Sequence, residues 1–385
     1  MFGFLSASLA ALYLLDRAWK ALAVAHFFRR HQPPAPENWP GLSLIQPVTA
    51  GPNDLRAVLT LRAQNPYPGW MEQIIVCDAA DSVSQALIRE LATAFPAWQP
   101  RLVFVDTPGG VAPKTLKQLA GLEGAAGDII CFVDDDILLR PETLAALVRH
   151  LQSGVGATFG LACYTNHQTL WGGLMSAFVN ANALLTYVPF TYLAQPYTIT
   201  GHVYALRRAD FEAIGGLSGM QRRLDDDHEL ARRVRHAGLR NCQTPAIYDV
   251  DNELPSLAAF LAQMKRWFVF PRQMMLPGTS FGQQFLTLGT SLPNLLPGLL
   301  LLLALFQPVA WSALAVCLVA FYLVYFWGER AILKRAAPAW AWPLLLLVAL
   351  VLPFQALFLL FSDNTVLWRG QRYRVRRGGE YEIIR

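Results

Sequence analysis

Three long apolar stretches late in the chain, Phe285 to Phe306, Val309 to Trp327 and Ala339 to Phe361, restrict what it can become before any motif does. A helix needs about 20 predominantly apolar residues to cross a bilayer, and each stretch is long enough, although Pro293, Pro297 and Pro353 interrupt them. Residues 1–30 begin with an apolar run to Leu15 and then carry Asp16, Arg17 and Lys20. No small-residue cleavage site follows a basic leader, so an uncleaved anchor is expected, with a helix lying on the membrane surface as the alternative. Asp16 and Lys20, four apart, partly neutralise each other on a helix. Of 385 residues, 54% are hydrophobic and 15% charged, with a mean hydropathy of +0.31, which is too apolar for an ordinary soluble enzyme. Because the apolar residues are unevenly spread, the chain reads as a soluble domain joined to membrane segments.

The soluble part occupies residues 40–252, beyond the stiff spacer Pro33-Pro34-Ala35-Pro36. Leu42 to Val48, Gln73 to Cys77, Arg101 to Val105 and Ile129 to Val133 read as strands; Asp54 to Arg62, Ser84 to Ala94 and Pro113 to Leu122 read as the helices between them. Strands apolar on both faces that alternate with helices imply a mostly parallel, Rossmann-like α/β sheet covered on both sides. Ligands then bind at the C-terminal ends of the strands.

Two of those ends are acidic. Ile74 to Cys77 runs into Asp78, with Asp81 three residues on, and Ile129 to Val133 runs into Asp134-Asp135-Asp136. In an extended segment Asp134 and Asp136 project to one face, where they offer oxygen ligands of the kind that Mg²⁺ or Mn²⁺ takes. Crowding three like charges after a buried strand is costly unless a cation compensates. Asp78 also has a plainer reading, as a loop acid or a helix N-cap.

Further on, Asp225-Asp226-Asp227 precedes a helix expected over Glu229 to Ala237 and closed by Gly238. Exposed N–H groups and the helix dipole favour the charged form of Asp227, while Asp225 and Asp226 are open to a capping role. Residues 253–282 carry Gln263, Lys265, Arg266 and Arg272 against Leu261, Trp267, Phe268 and Phe270, which suits a helix in the membrane interface with Trp267 at headgroup depth. The apolar segments fill 283–362, and 363–385 is a basic tail with Arg369, Arg372, Arg374, Arg376 and Arg377. With a net charge of only +5, that clustering favours anionic lipid headgroups and not nucleic acid. Three crossings from a cytoplasmic domain put this tail outside, against the positive-inside tendency, so one Pro-broken stretch, the first or the third, is expected to be re-entrant or interfacial. Five scattered cysteines without CxxC spacing indicate neither a disulfide framework nor a zinc site.

Taken together, the chain resembles the inverting family-2-type glycosyltransferases, specifically the ceramide glucosyltransferase branch with its bacterial hopanoid-biosynthesis relatives. The resemblance rests on Leu44-Ile45-Gln46-Pro47-Val48 with Gly51, Asn65-Pro66-Tyr67-Pro68, Asp78-Ala79-Ala80-Asp81, Pro113-Lys114, Asp134-Asp135-Asp136, Gly215-Gly216-Leu217, Asp226-Asp227-His228 and Gln263-x-x-Arg266-Trp267. It implies a GT-A fold, a nucleotide-sugar donor such as a UDP-sugar, a lipid acceptor and a divalent cation. By position it implies that Asp78, Asp81, Lys114, Asp134 and Asp135 bind the donor and that Asp134 and Asp136 hold the metal. Asp227 stands as general base, with Gln263, Arg266 and Trp267 closing the catalytic site, and the domain faces the cytoplasm, where donor sugars are made. Gln46-Pro47 stands where relatives often have Lys-Pro, and Asp226 where Glu is common. A processive polysaccharide synthase shares the acids and QxxRW but needs more membrane helices; a non-catalytic membrane scaffold or transport component has no need of the acids.

Overall fold

The structure, a computed structural model, describes residues 2–49, 54–64, 67–108, 111–368 and 371–384; Gly51, Asn65, Pro66 and Arg369 lie outside the described residues. One sheet of eight strands organises the soluble part: β1 (Leu42–Pro47), β2 (Met71–Asp78), β3 (Arg101–Val105), β4 (Ile129–Val133), β5 (Ile137–Leu139), β6 (Val155–Tyr164), β7 (Val203–Arg207) and β8 (Arg240–Val250). Their spatial order is β3-β2-β1-β4-β7-β6-β8-β5. The β3-β2-β1-β4 half is parallel, as expected, and β6 pairs parallel with β8, whereas β7 runs antiparallel to β4 and β6, and β5 to β8.

Alternating side chains of these strands serve two cores. Leu42, Leu44, Ile129, Cys131 and Val133 point to one face, and Ile45, Ile130 and Phe132 to the other. That is the outcome expected of buried strands with a side-chain period of two. Around the sheet lie α1 (Phe2–Arg29), α2 (Leu55–Ala63), α3 (Ser82–Ala94), α4 (Pro113–Leu122), α5 (Thr143–Arg149), α6 (Leu170–Phe190), α7 (Arg208–Ala213) and α8 (Asp226–His236). Leu230, Ala231 and Val234 of α8 close the second core, and Met175, Ala177 and Ala181 of α6 close the first. Gly215 and Gly216 turn the chain after α7 with φ of +81° and +51°, values that L side chains rarely adopt. All five cysteines are free, four of them buried.

The first core continues without a break into the apolar helices. After α9 (Leu257–Phe270) come α10 (Phe281–Ser291), α11 (Leu296–Ala304), α12 (Val309–Trp327), α13 (Leu344–Leu350) and α14 (Leu352–Leu359). Leu296, Leu300, Leu314 and Cys317 belong to the same buried cluster as Leu44 and Val133. Two segments, Phe281–Ala304 and Val309–Leu333, are long and apolar enough to cross a membrane. Helix α1 falls outside that pair, because Asp16, Arg17 and Lys20 interrupt its apolar run. It lies along α12 in parallel: Tyr13 shares a cluster with Cys317, and Val24 and Phe27 share one with Ile332 and Leu333. The three charges are buried. Lys20 Nζ lies 2.9 Å from Asp16 Oδ1 and donates to the Thr290 carbonyl at 2.6 Å, while Arg17 donates to Asp16 at 2.8 Å and to Asn294 at 2.6 Å. These contacts fall where Pro293 interrupts the helix of the first span.

The third apolar stretch is bent. Its helices α13 and α14 bend by 48°. At its start, the Trp340 ring meets His167 at 6.4 Å between centroids; at its end, Arg272 Nη1 donates to the Leu360 and Ser362 carbonyls at 2.6 Å each. His167 follows β6 and Arg272 follows α9, and Glu380 of the tail bridges Arg223, so the chain after this stretch packs against the sheet domain. The tail itself folds: β9 (Thr365–Trp368), β10 (Gln371–Val375) and β11 (Tyr381–Ile384) form an antiparallel sheet in the order β11-β10-β9.

Candidate active site

At the end of β4 the chain turns sharply into β5, so Asp135 and Asp136 occupy a turn and not an extended segment. The turn still separates the three acids. Asp135 is buried and accepts the Thr49 N–H at 2.7 Å, while Asp134 and Asp136 stay half-open. Asp134 Oδ1 lies 2.8 Å from Lys114 Nζ, the side chain that α4 delivers through its first turn. Asp136 Oδ1 is buried with no hydrogen-bond partner. Burial, together with Asp134 and Asp135, pushes the Asp136 carboxyl up to about 8.

A second group of acids comes from α8. This helix begins at Asp226, three residues earlier than the sequence suggests, which places Asp227 in its first turn. Neither Asp225 nor Asp226 caps it with a side-chain bond to the first N–H groups. Asp225 instead pairs with Arg223, Nη2 to Oδ2 at 2.8 Å. Asp227 Oδ1 accepts the His228 N–H at 2.7 Å, and its Oδ2 lies so close to Gly201 that a Cβ there would sit 2.7 Å away. Burial and the neighbouring Asp226 raise Asp227 to about 7, against Lys114 and the His228 N–H, which lower it. A carboxylate with its pKa near neutrality is suited to proton transfer at that pH.

Lys114 joins the two sides. Besides Asp134, its Nζ lies 3.7 Å from Asp226 Oδ2 and donates to the Gly201 carbonyl at 3.0 Å. Burial pulls its pKa down, but Asp134 and Asp226 outweigh this and hold it well above the usual lysine value. One ammonium therefore sits among the acids at the end of β4 and those of α8.

The α9 helix closes the site from above. Gln263 Oε1 accepts from Arg266 Nη2 at 2.6 Å, and Arg266 bears electrostatically on Tyr164 and His202. His202, whose carbonyl accepts the Asp134 N–H at 2.9 Å, is pushed down to about 4 by burial, so its imidazole is neutral. The Trp267 ring meets Tyr164 edge-on at 6.0 Å and 88°, because this face of α9 covers the end of β6. On the basic face, Lys265 pairs with Asp363 at 2.9 Å.

At the end of β2, Asp78 is held by Lys117, Nζ to Oδ2 at 2.5 Å, and by the Thr107 hydroxyl. Lys117 is fully buried and also donates to the Val48 carbonyl at 2.6 Å. Sequence reasoning stopped at Lys114, although Lys117 is three residues on and so on the same helix face. Asp81 caps α3 by accepting the Ser84 N–H at 3.0 Å. Gly201, Tyr164, His202 and Arg223 were missed because contacts distant in sequence bring them here.

Asp134 and Asp136 fit a divalent cation, given the orphaned buried oxygen of Asp136 and an all-oxygen donor set. Among the described residues no three His, Cys, Asp or Glu side chains converge as a metal cage. This suits an ion that takes one or two carboxylates and completes its shell from phosphates and water.

Comparison with known proteins gives the following. The model of the family described as glycosyl transferase family 21 matches residues 4–381. No curated protein matches the chain. Among solved structures, the chain is similar to a mannosyltransferase from Pyrobaculum calidifontis in complex with GDP-Man and Mn²⁺, with a TM-score of 0.52 and 18% identity over 94% of this chain and 99% of that one. A glucosyl-3-phosphoglycerate synthase from Mycobacterium tuberculosis, with Mn²⁺, UDP and its product, matches at a TM-score of 0.37 and 16% identity over 65% and 80%. The first of these likenesses shows the fold, GT-A.

Proposed function

This chain belongs to glycosyl transferase family 21, and on that premise we propose that its site transfers a sugar, with inversion, from a UDP-sugar to the hydroxyl of a membrane lipid of ceramide-like or hopanoid-like kind. The observation that carries the reading is the Asp227 carboxylate, raised to about 7 and felt electrostatically by Lys114, whose ammonium pairs with Asp134 at 2.8 Å. In this reading Asp227 takes the proton of the acceptor hydroxyl. The acceptor oxygen forms a bond to the anomeric carbon as the bond from that carbon to the diphosphate oxygen breaks on the opposite face, so one displacement inverts configuration. A positioned base of this kind contributes roughly 10²- to 10⁴-fold.

Asp134 and Asp136 would hold Mg²⁺ or Mn²⁺, whose chemistry when bound is to neutralise charge on the diphosphate. Arg266 supplies a fixed positive charge for the departing anion, and Lys114 orders the acids on both sides. Asp78, locked by Lys117, borders the nucleotide end at the β2 terminus. The lipid reaches Asp227 from the apolar helices next to α9, and the domain faces the cytoplasm.

Transfer of radiolabelled sugar from UDP-sugars into a lipid extract tests this, with wild type and Asp227→Asn compared. Label in the lipid fraction with wild type alone supports both base and acceptor class. Equal incorporation by the two would end the assignment of Asp227.

A further inference from the structure

The C-terminal sheet, a basic tail by sequence, touches both elements that make the acceptor side. On α9 it meets Arg266 itself, whose guanidinium carbon lies 5.4 Å from the centre of the Trp368 ring at the end of β9. Next to it, Lys265 pairs with Asp363; just past the end of α9, Arg272 donates to the Leu360 and Ser362 carbonyls and to Asn364, and Gln273 donates to Asn364 at 2.9 Å. On the α8 side, Arg223 and Glu380 form an antiparallel bridge, and Gly379, at φ +96°, lies against the Asp225 carboxylate, where a Cβ would come within 2.4 Å of Oδ1. Leu224, Val269, Val366, Tyr373 and Val375 close a buried cluster that draws on all three elements.

We propose that Trp368 is a positioning residue for the transfer: from the C-terminal sheet its ring holds the Arg266 guanidinium toward the Asp134–Asp227 site. The inference rests on the role given to Arg266 above. Gln263 accepts from the guanidinium at 2.6 Å and the π-face of Trp368 meets its charge; both of these groups are uncharged. Polar contacts at residues 360–364 join the chain just before β9 to Lys265 of α9 and to Arg272 and Gln273 beyond it.

The test uses the full-length chain in lipid nanodiscs, with kcat and donor KM for sugar transfer measured on Trp368→Ala, Trp368→Leu, Trp368→Phe, Arg266→Ala and the Arg266→Ala/Trp368→Ala double variant. Leucine keeps apolar bulk without a π-face, and phenylalanine keeps both. Trp368→Leu is expected to lower kcat about 10- to 100-fold with donor KM little changed. Phenylalanine is expected to restore most of it, and the double variant to fall no further than Arg266→Ala. Trp368→Leu within about twofold of wild type, or a double variant showing the product of both losses, overturns the proposal. Wild-type activity in Arg266→Ala would instead overturn the role of Arg266 itself.

Discussion

Two knots of buried charge, one in the helical bundle and one in the catalytic site, use the same residue types to opposite ends. In the bundle, Asp16 is met by both Arg17 and Lys20, and the remaining donors of those two cations reach Asn294 and the Thr290 carbonyl. In the site, the single ammonium of Lys114 sits among Asp134, Asp226 and Asp227, and buried oxygens of Asp136 and Asp226 have no hydrogen-bond partner. A satisfied knot fixes geometry; an unsatisfied one stores affinity for a proton, a cation or an anion. Burial of charge alone therefore does not mark a reactive site. What marks it is the imbalance left after every partner has been assigned.

The contrast breaks at its strongest point if Asp227→Asn keeps its activity. Loss of roughly 10²- to 10⁴-fold in turnover is expected, with thermal stability equal to or above wild type, because a like charge is removed from a crowded site. Asp16→Asn should do the reverse, destabilising the protein by about 3–5 kcal/mol through the two cations it leaves uncompensated, as read by thermal unfolding in detergent. Molecules that remain folded should transfer sugar at the wild-type rate. The pH profile sharpens the site half: Asp227 works as a base only when ionised, so kcat/KM should fall about tenfold per unit as pH drops below about 7, and that limb should vanish in Asp227→Asn. Least affected is Asp81→Ala, which removes a helix cap worth about 1 kcal/mol and should leave KM for the donor unchanged. A large rise in that KM would return Asp81 to the donor site.

Much of this was legible from the chain alone. The strands Arg101–Val105 and Ile129–Val133 and the helices Pro113–Leu122 and Val309–Trp327 have the boundaries that their patterns suggest, since each is a simple apolar run or amphipathic segment between clear breakers. β6 and β8 were harder. Val155 to Tyr164 is diluted by Gly156 and Gly160, and β8 contains Pro245 beside an irregular register with β6. In the tail, Tyr373 and Val375 alternate with Arg372 and Arg374, a period of two that its dense positive charge obscures. Among candidate site residues, Asp78 and Asp134 to Asp136 stand out by following buried strands, and Asp225 to Asp227 by opening a helix. The groups that tune them, such as Gly201 against Asp227 and Trp368 against Arg266, are set by tertiary approach and leave no local signature.

The three-stranded sheet at the C-terminal end also imposes an order on biosynthesis. A ribosome delivers residues 371–384 only after residues 281–333 and the bent α13–α14 pair have emerged, so β10 and β11 are the last strands to pair. Asp78, Lys114 and Asp134 are made long before, but Lys114 donates to the Gly201 carbonyl and β4 pairs with β7, so their surroundings wait for residues 201–207. A nascent chain arrested before residue 368 would hold Arg266 without the ring that meets it.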